Sequence, residues 1–157
     1  MAEIRLAFFD MDGTLSVPRY LTDEGRYTLG FRPAAWVEFC RVRGIRSYDH
    51  CLPVPAVFDY ARKLKEQGAE LYVLSTVGSP EEIEAKRAFT ERVAPGLFTD
   101  ILGSETNEAK TDVILRYAAE RGLAPEECEL VEDTYMICLA AMYKGIKATH
   151  VSMIFAG

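Results

Sequence analysis

The segment Phe8–Leu15, which reads FFDMDGTL, decides how the rest of the chain is interpreted. Its two aspartates, Asp10 and Asp12, directly follow the apolar run Ile4–Phe9, which predicts a strand. In open α/β sheets, ligands bind at the carboxyl ends of the strands. Two carboxylates so close together repel each other unless a cation lies nearby or one of them holds a proton. The segment therefore predicts a charged binding site at the end of the first strand.

Apolar runs of similar length recur along the chain and predict further strands. Their hydrophobicity is continuous rather than alternating, which is typical of strands that are covered on both faces. These runs are Leu71–Leu74, Leu97–Leu102, Leu130–Val131 and a part of Ile146–Phe155.

Segments with the periodicity of amphipathic helices separate these runs. One of them begins at Ser79–Glu82, where the sequence SPEE predicts a capping box. Three others end at glycines, the usual C-terminal caps of helices, which are Gly68, Gly122 and Gly145. The alternation of strands and helices predicts an α/β fold with a doubly wound, mainly parallel, Rossmann-like sheet of about five strands.

Composition limits the class of protein. The chain has 157 residues, which is typical of one domain, and 49% of them are hydrophobic. A formal net charge of −6 argues against binding of nucleic acid through bulk positive charge, although a phosphorylated nucleic-acid end stays open as a substrate. The sequence has no run of 18 apolar residues and no signal-peptide pattern at its N-terminus, so we expect no membrane association.

Four cysteines are scattered along the sequence without forming a CxxC pair. Two of them fall in or beside apolar segments, which indicates buried thiols in a reducing compartment rather than a zinc site. We therefore expect a cytoplasmic location. The four are Cys40, Cys51, Cys128 and Cys138.

Residues 16–52 interrupt the alternation between the first strand and its crossover helix. We expect a single domain over residues 1–157 with this segment as a flap or minimal-cap insertion that contains a short helix at Pro33–Val42. The insertion holds six of the twelve arginines. Of these, Arg19 is a candidate for contacting an anionic substrate. The alternative is that these arginines anchor the insertion to the domain or are solvated surface charges. So small an insertion implies an open site, which is compatible with a large substrate or with self-association.

The segment Phe9–Leu15 resembles the first motif of the haloacid dehalogenase (HAD) superfamily, whose members are mostly magnesium-dependent phosphatases. Three further features of that family follow in its order. They are a hydroxyl at the end of the second strand (Ser75, with Thr76 beside it), Lys110 at the start of a later helix, and the acidic pair Glu132–Asp133 after the fourth strand.

The resemblance implies a covalent mechanism for phosphate ester hydrolysis. Asp10 would attack phosphorus to form an aspartyl-phosphate, while Asp12 would protonate the leaving oxygen and then activate water. Ser75 and Lys110 would contact phosphoryl oxygens. The resemblance further implies that groups of Met11, Gly13, Thr14 and Thr76 bind the substrate, in addition to the candidate Arg19.

The resemblance also implies Mg²⁺ as cofactor, an ion that prefers oxygen ligands. The expected ligands are the Asp10 carboxylate, the Asp12 backbone carbonyl, Asp133 and Glu132. The sequence departs from many relatives here, because Glu132 replaces a glycine and Ile137 stands where a second acid is common. Direct and water-mediated coordination by Glu132 therefore both stay open.

The expected activity is hydrolysis of a phosphomonoester, and three alternatives stand beside it. They are a phosphoryl-transfer enzyme on the same scaffold, a signalling receiver-like domain, and a phosphate-binding pseudoenzyme. The presence of Asp12 favours ester hydrolysis. The aspartates follow the first strand of the chain, whereas receiver domains take their phosphorylated aspartate from a strand in the middle of the sequence. This difference argues against a receiver domain.

Overall fold

The computed structural model describes residues 2–21, 24–29 and 33–156 of the chain. Its strands are β1 (Leu6–Phe9), β2 (Ser16–Val17), β3 (Arg19–Leu21), β4 (Tyr27–Leu29), β5 (Leu52–Pro53), β6 (Glu70–Thr76), β7 (Asp100–Ser104), β8 (Cys128–Glu132) and β9 (Lys147–His150). Its α-helices are α1 (Pro33–Arg43), α2 (Pro55–Glu66), α3 (Pro80–Val93), α4 (Ala109–Glu120), α5 (Tyr135–Tyr143) and α6 (Val151–Ala156).

Five parallel strands form the central sheet in the order β7-β6-β1-β8-β9. All four residues of β1 are buried, because helices cover both faces of the sheet at its middle strand. A strand covered on both faces presents an apolar side chain at every position, which explains the continuous hydrophobic runs. The predicted α/β, doubly wound, Rossmann-like architecture is confirmed.

A hydrophobic core lies on each face of the sheet. The first core packs against α2, α3 and α6 and includes Phe9, Phe58 and Phe89. The second packs against α4 and α5 and includes Phe8 and Ile114. Neighbouring residues of a strand point to opposite faces, so β1 contributes one phenylalanine to each core. The two cores together fix the position of the segment that follows β1.

The third predicted strand differs from the structure in its bounds. Leu97 and Phe98 are buried in the first core, but they precede β7, which begins at Asp100. A turn at Pro95 and Gly96 delivers these side chains to the core before the chain enters the sheet. Their apolar character therefore reflects burial rather than strand structure.

The predicted capping box at the start of α3 is wrong. The Ser79 side chain makes no capping hydrogen bond. The Glu82 carboxylate lies instead 3.9 Å from the ammonium of Lys86, one turn further along the helix. Glu82 thus pairs with Lys86 within the helix instead of bonding to the backbone of Ser79, as a capping box would require.

The insertion leaves and re-enters the domain at one place. β2 pairs antiparallel with β5, with Val17 opposite Leu52, and the Val54 N–H donates to the Leu15 carbonyl at 2.9 Å. Between these ends lie the β3–β4 hairpin, α1, which confirms the predicted short helix, and a 3₁₀ turn. Among the described residues of this segment, the buried hydrophobic side chains join the first core, and they are Trp36, Cys40, Tyr48 and Cys51.

All four cysteines are buried and free, as the sequence predicts. None of the helices in the described ranges combines the length and the apolar composition that crossing a membrane requires.

Candidate active site

Polar side chains stand at the carboxyl ends of three neighbouring strands. β1 lies between β6 and β8, and the Asp10 N–H donates to the Val131 carbonyl at 3.0 Å, which continues the pairing beyond β1. Ser75 lies near the end of β6 and Glu132 at the end of β8. Because parallel strands end at the same edge, Asp10, Ser75 and Glu132 are brought to one site.

Lys110 joins two of these strand ends. It lies in the first turn of α4, and only 2% of its surface is exposed. Its Nζ donates to Asp10 Oδ1 and to Glu132 Oε2, both at 2.9 Å. A buried ammonium needs such paired carboxylates, since an isolated buried charge is strongly destabilising. Lys110 thus fixes the positions of Asp10 and Glu132 relative to each other.

The electrostatics of this cluster are dominated by burial. Burial raises the pKa of Asp10, which Lys110 opposes. Burial and the neighbouring Asp10 raise the pKa of Glu132 to about 8. For Lys110, burial lowers the pKa, but Asp10 and Glu132 outweigh it and the pKa is raised. Burial and mutual repulsion thus disfavour ionisation of both carboxyl groups beside a single lysine.

A third carboxyl group belongs to Asp133. One oxygen from each of Asp10, Glu132 and Asp133 lies within 4.8 Å of the others. An all-oxygen donor set of three carboxyl groups fits Mg²⁺. The two Glu132 oxygens also accept hydrogen bonds from Lys110 and, at 3.2 Å, from the Asp133 N–H. Metal coordination by Glu132, whether direct or through water, therefore stays a prediction.

Gly13 gives Asp133 the space that it occupies. A Cβ atom built at position 13 would lie 2.1 Å from Asp133 Oδ2, and the φ angle of Gly13 is +84°. The Gly13 N–H donates to the Ser16 carbonyl at 2.8 Å, so it is committed within the loop. The Gly13 N–H is therefore not available to a phosphate, and the prediction that backbone amides of this turn bind phosphate now applies to Met11 and Asp12.

Gly13→Ala is expected to lower kcat/KM by at least about tenfold, because the methyl group would displace the Asp133 carboxylate. Strain at a positive φ costs a further ~1–3 kcal/mol of unfolding free energy. Gly96→Ala is the matched control, since Gly96 has a φ of +72° with no atom within 4 Å of the added Cβ. Urea denaturation and kinetics of both variants separate strain from displacement. Equal activity of the two variants would refute this role of Gly13.

Met11 and Thr14 organise the loop that carries the aspartates. The Met11 carbonyl accepts hydrogen bonds from the N–H groups of Leu15 and Ser16, both at 3.0 Å. The Thr14 hydroxyl donates to Asp10 Oδ2 at 3.3 Å. Both predicted substrate-binding residues thus lie at the site, and Thr14 contacts the predicted nucleophile itself.

Two residues that the sequence analysis missed hold the carboxyl group of Asp12. The Tyr48 hydroxyl donates to Asp12 Oδ1 at 2.6 Å, and Lys86 Nζ lies 3.7 Å from Oδ2. Burial raises the pKa of Asp12, against the opposing effects of Lys86 and Tyr48. The one sequence signal for Lys86 is a charge beside Ala85 on the buried face of α3, and Tyr48 has no such signal.

The hydroxyls at the end of β6 have different surroundings. Ser75 Oγ accepts a hydrogen bond from Lys86 Nζ at 2.6 Å, which connects it to the Asp12 side of the site. Thr76 Oγ1 donates to Asn107 Oδ1 at 2.7 Å and faces away toward that loop. The geometry favours Ser75 over Thr76 as the hydroxyl of the site.

Arg19 is not brought into the cluster. Its Nε donates to the His50 carbonyl at 2.9 Å, and its guanidinium lies 4.4 Å from the centre of the Tyr27 ring. Across residues 2–21, 24–29 and 33–156, no hydrogen bond or ion pair joins it to Asp10, Asp12 or Lys110. In the described structure the arginine anchors the insertion, and a substrate contact stays a prediction.

Comparison with known proteins gives structural neighbours only. No family model matches the chain, and no curated protein matches it. A HAD family enzyme from Bacteroides thetaiotaomicron, in complex with magnesium and inorganic phosphate, has a TM-score of 0.56 at 12% identity, over 94% of this chain and 93% of its own. A predicted phosphoglycolate phosphatase from Haemophilus somnus has a TM-score of 0.61 at 16% identity, with coverages of 94% and 85%.

A hypothetical protein from Xanthomonas campestris has a TM-score of 0.53 at 19% identity over 95% of this chain. The chain spans 64% of the length of that protein. At these identities the likeness concerns the fold alone, and it agrees with the parallel sheet described above. The chain therefore has the fold of the haloacid dehalogenase-like hydrolases.

Proposed function

We propose that the protein is a magnesium-dependent phosphatase that hydrolyses a phosphomonoester through an aspartyl-phosphate on Asp10. The observation that carries this proposal is the buried bridge from Lys110 to Asp10 and Glu132, with Asp133 beside it, at the carboxyl end of β1. The magnesium and inorganic phosphate bound by the Bacteroides enzyme of the same fold support this choice of ligands.

In the first step, a carboxylate oxygen of Asp10 forms a bond to phosphorus as the bond from phosphorus to the leaving oxygen breaks. Asp12 gives its proton to that oxygen, so the alcohol departs neutral. Lys110 and Thr14 hold the Asp10 carboxylate, which limits its rotation before the attack. The Ser75 hydroxyl lies at the same edge for contact with a phosphoryl oxygen.

In the second step, a water oxygen bonds to phosphorus and Asp12 takes the proton that the water loses. The bond between phosphorus and the Asp10 oxygen then breaks, and inorganic phosphate leaves. The proton count closes, since Asp12 ends the cycle protonated as it began.

The carboxylates of Asp10 and Asp133, with Glu132 and the Asp12 backbone carbonyl, would hold Mg²⁺. In the described part of the chain, the ammonium groups of Lys86 and Lys110 are outnumbered by the carboxyl groups around them, which are those of Asp10, Asp12, Glu82, Glu132 and Asp133. A bound divalent ion would supply neutralisation of this charge and of the phosphoryl oxygens.

Removal of the metal is expected to abolish turnover. With p-nitrophenyl phosphate, excess EDTA should lower the rate at least about 100-fold, and added Mg²⁺ should restore it. A readout independent of activity is the melting temperature, which Mg²⁺ should raise in the wild type and much less in Asp133→Asn. Hydrolysis that is indifferent to EDTA would contradict the metal requirement, and no hydrolysis of any phosphomonoester would refute the phosphatase.

A further inference from the structure

The carboxyl group of Asp12 is held from two sides by residues outside the four motifs. Tyr48 donates its hydroxyl to Oδ1 at 2.6 Å, and Lys86 places its ammonium 3.7 Å from Oδ2. Both side chains are only 1% exposed, so packing rather than solvent determines where their polar atoms lie. A carboxyl group with contacts on both oxygens cannot rotate freely about its Cβ–Cγ bond.

Lys86 is fixed by a ring of polar atoms. Its Nζ donates to Ser75 Oγ at 2.6 Å and to the Thr76 carbonyl at 3.2 Å. The third donor of an ammonium is then left for the carboxylates of Asp12, at 3.7 Å, and Glu82, at 3.9 Å. A charge buried on the inner face of α3 costs free energy unless it is paired in this way. The lysine therefore links the end of β6 to the loop after β1.

Tyr48 is fixed by the packing of the insertion against α3. Its ring lies 5.4 Å from the Trp36 ring and 5.8 Å from the Phe89 ring. Its backbone carbonyl accepts a hydrogen bond from Arg92 at 3.2 Å. The same helix, α3, thus supplies Lys86 and the surface that seats Tyr48.

We propose that Tyr48 and Lys86 are positioning residues that aim Asp12 at the leaving oxygen, so that the insertion takes part in proton transfer. Tyr48 occupies Oδ1 with a short hydrogen bond, whereas Lys86 stays 3.7 Å from Oδ2, beyond hydrogen-bond distance, so Oδ2 is the atom that gives up and recovers the proton. A general acid works only within about 2.6–3.2 Å of its target, so orientation of Oδ2 controls its efficiency. This inference rests on the proposed phosphatase activity.

The test uses two aryl phosphates that differ in their need for a proton. p-Nitrophenolate leaves readily as an anion, whereas the poorer leaving group of phenyl phosphate depends on protonation by Asp12. Since kcat/KM covers the steps from free enzyme through ester cleavage, it isolates this first proton transfer. Tyr48→Phe should lower kcat/KM for phenyl phosphate by about 10–100-fold and that for p-nitrophenyl phosphate by less than about threefold.

The matched control is Tyr60→Phe, because Tyr60 donates its hydroxyl to Glu129 outside the cluster, and it should change neither ester. Lys86→Met should repeat the selective loss, and Lys86→Arg should recover part of it. Tyr48→Phe retains the packed ring, so it decides the test even where Lys86→Met does not fold. Equal losses for both esters, or no loss, in an otherwise active enzyme would overturn the inference alone. A wild-type enzyme inactive on both esters would overturn it together with the phosphatase.

Discussion

Asp10→Asn is expected to lower kcat for phosphomonoester hydrolysis by at least about 10⁴-fold, the scale of loss seen when a covalent nucleophile is removed. The amide cannot form the acyl-phosphate bond that the carboxylate forms, although it fills the same space. Acid-quenched mass spectrometry should detect a phosphorylated intermediate in the wild type and none in the variant. Activity of the variant near that of the wild type would exclude Asp10 as the nucleophile.

The Asp10→Asn variant should remain folded. Burial raises the pKa of Asp10, so the folded state disfavours its charged form and tolerates a neutral amide. Lys110 keeps its bond to Glu132 at 2.9 Å. Asp59→Asn is the matched control, since Asp59 is exposed and pairs with Arg62 at the surface. Circular dichroism and urea denaturation of both variants should resemble those of the wild type.

Lys110→Met is expected to abolish activity and also to lower the unfolding free energy by about 3–5 kcal/mol, because it leaves buried carboxylates without their partner. The two carboxylates are those of Asp10 and Glu132, each 2.9 Å from Nζ in the folded protein. Methionine keeps most of the side-chain volume, so the loss reports on charge rather than on a cavity.

Urea denaturation in EDTA measures this effect without a contribution from metal. Lys63→Met is the control, since Lys63 is exposed on α2 and surface substitutions usually change stability by less than about 0.5 kcal/mol. A destabilisation of Lys110→Met no larger than that of the control would mean that the bridge does not hold the site together.

Much of the site could be predicted because its residues follow local signals. Asp10, Ser75 and Glu132 each stand at the end of an apolar run, and parallel pairing of these runs brings their ends to one edge. The motif order predicts Lys110 at the site, and its ammonium lies 2.9 Å from Asp10 Oδ1. Local sequence patterns are sufficient to predict these site residues, because parallel strand pairing brings them together from distant parts of the chain.

The residues around Asp12 could not be predicted in the same way. Tyr48 reaches Asp12 across 36 positions of sequence through the packing of the insertion, which has no local signature. Lys86 does have a signal, because it lies on the buried face of its helix. The pattern SPEE, however, predicts that Glu82 caps the helix, and the structure places Glu82 beside Lys86 instead. For Arg19 the sequence supplies only a positive charge, and tertiary contacts within the insertion determine where the guanidinium lies.

The absence of a side chain at Gly13 also has a mechanical meaning. The Asp133 carboxylate fills the volume where a Cβ at position 13 would lie, so the loop after β1 and the loop after β8 interlock. A shift of either loop toward the other is blocked by contact between position 13 and the Asp133 carboxylate. The site therefore cannot narrow by closing these two loops on each other, and the bare backbone at position 13 sets their smallest separation.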